Sequence, residues 1–182
     1  MQVESPEVGP QHSDNDNNND NNNSNNNNNN NNDSYCNEEE RPMSENEKLT
    51  GGCLCGAIRL EVDRSAVVSA NNCHCSDCQR STGSAFATIV LIPDSAFELT
   101  SGEAKCFSVT GASGKSVTRS FCPDCGSPLW SQVEVAPGLR FVKAGAFDDA
   151  SWIEPASSYW GDSAQPWAPP VEGIPVHAQN PT

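Results

Sequence analysis

Seven of the nine cysteines fall into three short clusters, and their spacing is typical of metal ligands. The clusters are GGCLCG at 51–56, CHCSDC at 73–78 and CPDCG at 122–126. The N-terminus has neither the basic region nor the apolar run of a secretory signal peptide, so we expect the thiols to stay reduced. Reduced cysteines at these spacings favour metal binding over a disulfide framework.

The CPDCG cluster is the most specific of the three. Its proline restricts the start of a tight turn, and the glycine after Cys125 permits a backbone shape that directs amide groups towards sulfur. Such a turn supplies two of the four thiolates of a structural zinc site. Cys53 and Cys55, which are flanked by glycines, can offer two more sulfurs from one side of an extended chain. The two pairs therefore predict a closed four-cysteine site.

The remaining cluster consists of Cys73, Cys75 and Cys78. Three protein ligands with an open fourth position are typical of catalytic zinc. A zinc ion with three thiolates carries a net negative charge, so it suits a soft ligand such as an incoming substrate thiolate better than it suits the generation of hydroxide. Ligand counting favours this division into four and three, while spacing alone also allows these cysteines to share a site with another cluster.

His74 lies between two of these cysteines. In an extended chain its side chain points away from the metal, so we predict a structural or solvent-facing position; the alternatives are a hydrogen-bond donor to a ligand and a ligand. Cys36 and Cys106 lie outside the clusters and are predicted to be bystanders. The sequence lacks both the H-x-E motif of zinc nucleobase deaminases and the βαβ pattern that surrounds a thioredoxin-like C-x-x-C.

The elements that must position these cysteines are predicted to be short β-strands. Strand patterns separated by turn signals occur over 57–62, 86–92, 96–99, 105–109, 116–121, 129–133 and 139–143. Strands at this spacing, with no long helical pattern between them, favour an all-β domain. Residues 76–82 are predicted to form one short helical turn, and the proline-rich residues 165–170 are predicted to be extended.

Composition divides the chain of 182 residues into a tail and a domain. Residues 1–48 carry eleven acidic residues against Arg41 and Lys48, and residues 15–32 contain fifteen asparagines. Such a segment cannot bury enough apolar area to offset its conformational entropy, so we predict a disordered, acidic, Asn-rich tail. The folded domain is predicted over 49–170, followed by a flexible C-terminal end over 171–182.

Most of the net charge of -14 belongs to this tail, which carries -9 against -5 for the rest of the chain. An acidic chain is a poor partner for nucleic acid or another polyanion. The sequence has no apolar run approaching the ~18 residues of a membrane span, and it has no lipidation motif. We therefore expect a cytoplasmic protein, with the nucleus as the alternative compartment, and neither nucleic-acid nor membrane partners.

The order of the three clusters resembles that of a known family. G-x-C-x-C-G, C-H-C-x-x-C-Q-R and R-x-F-C-P-x-C-G together resemble the glutathione-dependent formaldehyde-activating enzyme family, which includes centromere protein V. The resemblance covers roughly residues 49–168, with GAFDD at 145–149 and the later Pro-Trp pair. It implies a mainly β, Mss4-like β-tent fold that holds two zinc ions per chain. The implied ligands are Cys53, Cys55, Cys122 and Cys125 for a structural zinc, and Cys73, Cys75 and Cys78 for a catalytic zinc.

The resemblance also implies a carbon–sulfur lyase that forms or cleaves an S-hydroxymethylglutathione-like adduct of glutathione and an aldehyde. Arg80, Arg119 and Lys115 are the candidate cations for the two carboxylates of glutathione. Many relatives have a His-containing segment where this chain has Ser158-Tyr159-Trp160, so the substrate differs if this segment lines the pocket. The alternative function is a non-catalytic zinc module resembling centromere protein V, which the acidic charge disfavours.

Overall fold

The computed structural model describes residues 47–180, and the predicted tail, including Cys36, lies almost entirely outside this range. The described strands are β1 (Lys48–Gly52), β2 (Arg59–Asp63), β3 (Ser69–Cys73), β4 (Ala87–Pro93), β5 (Phe97–Ser101), β6 (Lys105–Thr110), β7 (Ser116–Phe121), β8 (Pro128–Val133), β9 (Leu139–Lys143) and β10 (Ser157–Tyr159). The helix α1 covers Ser76–Thr82, as predicted. The prediction of a mainly β domain is confirmed. Among the described residues, no helix has the length and apolar character needed to cross a membrane.

The strands form two sheets. The smaller sheet has the order β1-β2-β5, and the larger has the order β10-β3-β4-β9-β8-β7-β6. Neighbouring strands are antiparallel except for β10 and β3, which are parallel. Two cysteine clusters follow directly from strand ends, because β3 ends at Cys73 and β7 ends one residue before Cys122.

One hydrophobic core joins the two sheets. Alternating residues of β2, such as Leu60 and Val62, pack in the same buried cluster as Val90 and Ile92 of β4 and Val142 of β9. This period of two directs one face of each strand inwards. The opposite side of the larger sheet, called the outer face below, therefore carries the intervening residues.

The sheet register shows which residues share the outer face. Asn71, Ile89 and Lys143 stand opposite one another across β3, β4 and β9, and directly opposite residues lie on the same face of a sheet. Cys73, two residues after Asn71, and Phe141, two residues before Lys143, lie on this face as well. The outer face thus combines a cysteine, a lysine and apolar side chains within a few residues of one another.

Three strands have no counterpart among the predicted ones, and polar or glycine-rich sequence explains why. β3 reads SANNC, yet its last four residues are buried. The Asn71 side-chain oxygen accepts a hydrogen bond from the Ser157 hydroxyl at 2.8 Å, and that of Asn72 accepts one from the Thr88 hydroxyl at 2.8 Å. These donors satisfy the buried amides but come from distant parts of the chain. β1 contains two glycines, and β10 has three residues.

The C-terminal part of the chain runs beside β10. In the segment from residue 171, for which a flexible end is predicted, the Ser158 amide donates to the Pro175 carbonyl at 2.9 Å, and the His177 amide donates to the Ser158 carbonyl at 2.8 Å. A strand at a sheet edge has free backbone groups that another segment can pair with. Residues 165–170 were predicted to be extended, but the Ala168 amide closes a tight turn on the Gln165 carbonyl at 2.9 Å.

Candidate metal centres

The structure brings Cys53 and Cys55 together with Cys122 and Cys125. The four sulfurs all lie within 4.8 Å of one another; Cys55 Sγ is 3.4 Å from Cys53 Sγ and 3.8 Å from Cys122 Sγ. A tetrahedral zinc with Zn–S distances of about 2.3 Å separates its sulfurs by about 3.8 Å. The number, type and spacing of these donors therefore fit a closed tetrahedral metal site.

Tight turns present these sulfurs. Gly56 and Gly126, each directly after the second cysteine of its pair, have φ values of 78° and 74°, a region that glycine enters without a steric penalty. The Ile58 amide donates to Cys53 Sγ at 3.2 Å. The Ser127 hydroxyl, 3.2 Å from Cys125 Sγ, lowers the pKa of the Cys125 thiol to about 6. These donors stabilise thiolates, which are the metal-binding form of cysteine.

This four-cysteine cluster connects the two sheets. Cys53 and Cys55 lie in the turn between β1 and β2 of the smaller sheet, whereas Cys122 and Cys125 lie between β7 and β8 of the larger one. Cys53 and Cys122 are buried in the common core. A second contact follows the same route, because the Leu54 amide donates to the Ser127 hydroxyl at 3.1 Å. The position of the cluster suits a structural role.

The second cluster is local to β3 and α1. Cys73 ends β3, Cys75 caps α1, and Cys78 lies in the first turn of this helix. The Cys78 amide donates to Cys75 Sγ at 3.4 Å, and the three sulfurs lie within 4.8 Å of one another. Six residues of chain thus bring together three donors, without a fourth cysteine from another cluster. All eight described cysteines are free thiols.

The three neighbouring sulfurs influence one another's ionisation. Hydrogen bonds from Cys73 and Cys78 lower the pKa of the Cys75 thiol, and the contact with Cys75 raises the pKa of the Cys73 thiol. Ionisation of one thiol therefore disfavours ionisation of the other two, because adjacent negative charges repel. A cation among the sulfurs removes this conflict, so the donor set fits a thiophilic divalent metal such as zinc.

A cavity of about 510 Å³ opens onto the three-cysteine cluster, and two cations line it. Lys143 is only 6% exposed, and burial lowers the pKa of its ammonium group, with the neighbouring Cys78 opposing this effect. Arg119 Nη2 lies 3.3 Å from Asp77 Oδ2. Two positive charges therefore face three potential thiolates, and Asp77 balances only part of that positive charge.

Tyr159 and Trp160 form an aromatic wall of the same cavity. Trp160 has φ 59° and ψ 43°, a left-handed conformation that is unusual for a bulky residue and costs about 1–3 kcal/mol. The C-terminal segment holds it: the Trp160 amide donates to the Gln179 carbonyl at 3.3 Å, and its indole N–H donates to the Asn180 side-chain oxygen at 2.8 Å. Tyr159 and Trp160 of the Ser158-Tyr159-Trp160 segment thus line the cavity.

Gln79 connects the cysteine loop to this wall. Its Nε2 donates to the His74 carbonyl at 2.6 Å and to the Ser163 carbonyl at 2.9 Å, while its Oε1 accepts from Gln165 Nε2 at 2.9 Å. Residues 74–79 and residues 163–165, which lie 84 to 86 residues apart in sequence, therefore meet on one amide. This residue positions α1 against the loop after Trp160 without being a metal donor.

We expect Gln79→Ala to lower the melting temperature of the domain by roughly 2–12 °C. The loss of two donated bonds leaves part-buried carbonyls without a partner, which costs about 1–3 kcal/mol, at about 2–4 °C per kcal/mol for a chain of this size. Thermal unfolding followed by circular dichroism measures the change. The matched control is Gln132→Ala, because Gln132 is exposed. Equal melting temperatures for the two variants would contradict the positioning role.

The three cations proposed from the sequence lie in different surroundings. Arg119 lines the cavity. Arg80 is exposed and is not among the lining residues. Lys115 Nζ lies 3.1 Å from Glu134 Oε1, and both side chains are more than half exposed. Of these candidates, only Arg119 reaches the cavity.

His74 is buried rather than solvent-facing. It is 1% exposed, its ring lies 5.0 Å from that of Phe86, and burial lowers its pKa. Within the described residues, neither ring nitrogen has a hydrogen-bond partner. This arrangement agrees with the structural position that was part of the prediction, and not with the solvent-facing one. Cys106 is exposed and outside both clusters, 3.4 Å from the Ser120 hydroxyl.

The sequence interpretation missed Lys143. This lysine ends the predicted strand LRFVK, where a charged residue at a strand end is an ordinary surface feature. Alternation places Lys143 on the same face of β9 as Phe141. Which residues lie beside Lys143 on that face depends on the pairing of β9 with β4. The available signal was therefore weak: a lysine two residues before the GAFDD segment.

Comparisons with known proteins match the part of the chain that contains both cysteine clusters. The family model described as "Glutathione-dependent formaldehyde-activating enzyme" matches residues 48–163. A Penicillium rubens protein, provisionally named as such an enzyme, is 32% identical over 107 residues, which cover 57% of this chain and 55% of that protein. A Colletotrichum graminicola protein with the same provisional name is 29% identical over the same shares of the two chains.

A crystal structure of a Rhodobacter sphaeroides protein aligns with a TM-score of 0.44 and 23% identity, over 58% of this chain and 91% of that one. The chain spans about half the length of the curated relatives it matches. The matched range 48–163 contains both cysteine clusters and makes up more than half of the chain. The chain therefore belongs to the glutathione-dependent formaldehyde-activating enzyme family.

Proposed function

We propose that this protein is a zinc-dependent carbon–sulfur lyase that forms or cleaves an S-hydroxymethylglutathione-like adduct. The observation that carries the proposal is the cavity that opens onto Cys73, Cys75 and Cys78 and is flanked by two cations. Family membership supports the same reaction class. The protein would then take glutathione and an aldehyde as its small-molecule partners.

In this proposal the chain holds two zinc ions. Cys53, Cys55, Cys122 and Cys125 would hold a structural ion, and Cys73, Cys75 and Cys78 a second one. When bound, the second ion would supply an open position that favours a substrate thiolate over hydroxide. Because both sets of ligands must stay reduced, a reducing compartment such as the cytoplasm suits the protein.

The reaction needs no oxidant or reductant. The S–H bond of glutathione breaks, a C–S bond forms at the aldehyde carbon, and the carbonyl oxygen gains a proton. Lys143 would donate a hydrogen bond to that oxygen as its negative charge develops, since a preorganised cation in a buried site stabilises such charge strongly. Arg119 would bind a carboxylate of glutathione, and Tyr159 and Trp160 would limit the access of water.

The test is to measure adduct formation from glutathione and formaldehyde, together with the zinc content of the full chain. We expect two zinc ions per chain and an exchange rate above the uncatalysed one. Arg119→Ala should raise KM for glutathione about tenfold to a hundredfold, because a hydrogen bond to a charged group is lost. The control is Lys115→Ala, which removes a cation paired with Glu134 outside the cavity.

Two outcomes would contradict the proposal. Absence of both glutathione binding and acceleration would instead support a non-catalytic zinc module resembling centromere protein V. Equal effects of Arg119→Ala and Lys115→Ala on KM would contradict the assignment of Arg119 as the carboxylate partner.

A further inference from the structure

The cavity that opens onto the three cysteines has an apolar floor, defined here as Ile89, Leu91, Val117, Val133 and Phe141. These residues come from four adjacent strands of the larger sheet, namely β4, β7, β8 and β9. Phe141 stands opposite Leu91, and Val117 stands opposite Val133. The apolar floor therefore consists of two groups on the outer face: Ile89, Leu91 and Phe141 on β4 and β9, and the valine pair on β7 and β8.

The apolar floor begins at the cysteines and extends away from them. Ile89 packs with Cys73, and α1 and Trp160 cover this end of the outer face. Leu91, Phe141, Val117 and Val133 are farther along their strands and stay partly exposed. Partly exposed apolar residues that line a cavity are typical of a ligand site, in which a few polar groups set the orientation.

Charge divides this cavity into two kinds of surface. Lys143 stands opposite Ile89, beside the cysteine end, and Arg119 lies in the same cross-strand row as Phe141. The valine pair is two residues farther from the cysteines than Arg119. Anionic groups of a ligand therefore bind best near the cysteines, and its hydrocarbon part binds best on the apolar floor.

Neither partner of the proposed reaction makes use of this floor. Formaldehyde has one carbon atom and no hydrocarbon chain, and glutathione is a charged, polar tripeptide. Burial of a hydrocarbon chain is the interaction that an apolar surface favours. The occupant must therefore carry apolar carbon close to the atom that reacts at the three-cysteine cluster.

We infer that the aldehyde partner is larger than formaldehyde, an aliphatic aldehyde of several carbons whose chain lies on the apolar floor while glutathione lies at the cysteines and cations. This inference rests on the proposed function. Atoms balance as before: the thiol S–H bond breaks, the C–S bond forms, and the carbonyl oxygen takes the proton, which gives an S-(1-hydroxyalkyl)glutathione.

The experiment compares formaldehyde, butanal and hexanal as partners of glutathione, with the zinc-loaded full chain and exchange-detected NMR. We expect kcat/KM to rise about threefold to fourfold for each methylene group that the floor covers. Calorimetry supplies a second readout, in which S-hexylglutathione is expected to bind more tightly than S-methylglutathione.

Variants test whether the apolar floor is responsible. Phe141→Ala should lower the ratio of kcat/KM for hexanal to that for formaldehyde about tenfold, and Leu91→Ala provides a second test if the first variant does not fold. The matched control is Phe107→Ala, because Phe107 is 63% exposed on β6 and is not among the lining residues. Its ratio should stay at the wild-type value. Zinc content and melting temperature establish that each variant is folded.

The outcomes separate the inference from the proposed function. Acceleration with formaldehyde and no gain with chain length would overturn the inference alone. No acceleration with any aldehyde would overturn the proposed function and the aldehyde assignment together. A chain-length gain that Phe141→Ala leaves intact would overturn the role of the apolar floor. A dimer weakened by Phe141→Ala, without a chain-length gain, would assign the floor to a second copy and overturn the inference.

Discussion

In the Cys125→Ser variant, we expect residues 47–180 to lose both their folded structure and one bound zinc ion per chain. The four-cysteine cluster connects turns of two different sheets, and two of its cysteines are part of the common core. A structural zinc contributes about 10–16 kcal/mol in small zinc domains, which is comparable to the about 5–15 kcal/mol of total stability of a typical protein. The loss of one ligand therefore removes a large share of the free energy of unfolding.

Elemental analysis and thermal unfolding by circular dichroism measure this effect. The matched control is Cys106→Ser, because Cys106 is an exposed free cysteine outside both clusters. That variant should keep two zinc ions and the melting temperature of the natural protein. A Cys125→Ser protein with two zinc ions and an unchanged melting temperature would contradict the structural role of the cluster.

The second large effect is expected for Cys78→Ser: loss of one zinc ion and at least a hundredfold fall in kcat/KM, with the fold retained. The three-cysteine cluster is local to six residues, so its loss separates no distant elements. The hydrogen bonds of Gln79 still hold α1 to the loop after Trp160. Substitutions of residues that merely orient metal ligands already cost about 10–100-fold, so the loss of a ligand should cost at least as much.

The same two measurements, together with the kinetic assay, test this variant, and Cys106→Ser again serves as the control. We expect a melting temperature within a few degrees of the natural protein, in contrast to Cys125→Ser. If Cys78→Ser and Cys125→Ser unfold the domain to the same extent, the division into a structural and a reactive site is wrong. If Cys78→Ser keeps full activity, the reaction does not take place at the three-cysteine cluster.

The different expectations for these two variants follow from how the sulfurs come together. The sulfurs of Cys73, Cys75 and Cys78 meet because β3 ends and α1 begins within a few residues, which is a local property of the chain. Those of Cys55 and Cys122 lie 67 residues apart in sequence and 3.8 Å apart in space. Ligand counting favoured their pairing and the family resemblance implied it, but only sheet packing produces the contact.

Local patterns were sufficient for much of the fold. Strand patterns between turn signals predicted β7 and β9 with the bounds that the structure has, and the bounds of α1 were also predicted. β3 was missed because its asparagines look unsuited to a buried strand, and their partners, Thr88 and Ser157, come from β4 and β10. Such hydrogen bonds depend on strand pairing and leave no local pattern.

The residues alone were sufficient to predict the donor type, the three cysteine clusters, the mainly β class and the family. Each of these depends on short-range spacing or on the order of motifs along the chain. The tertiary structure added the surroundings of the reactive site: Lys143 beside the thiols, Trp160 held by the C-terminal segment, and the apolar floor. These features depend on which strands are neighbours and on their register. The order and register of the strands are set by hydrogen bonds between distant segments and by burial in a common core. No short stretch of sequence shows either of these interactions.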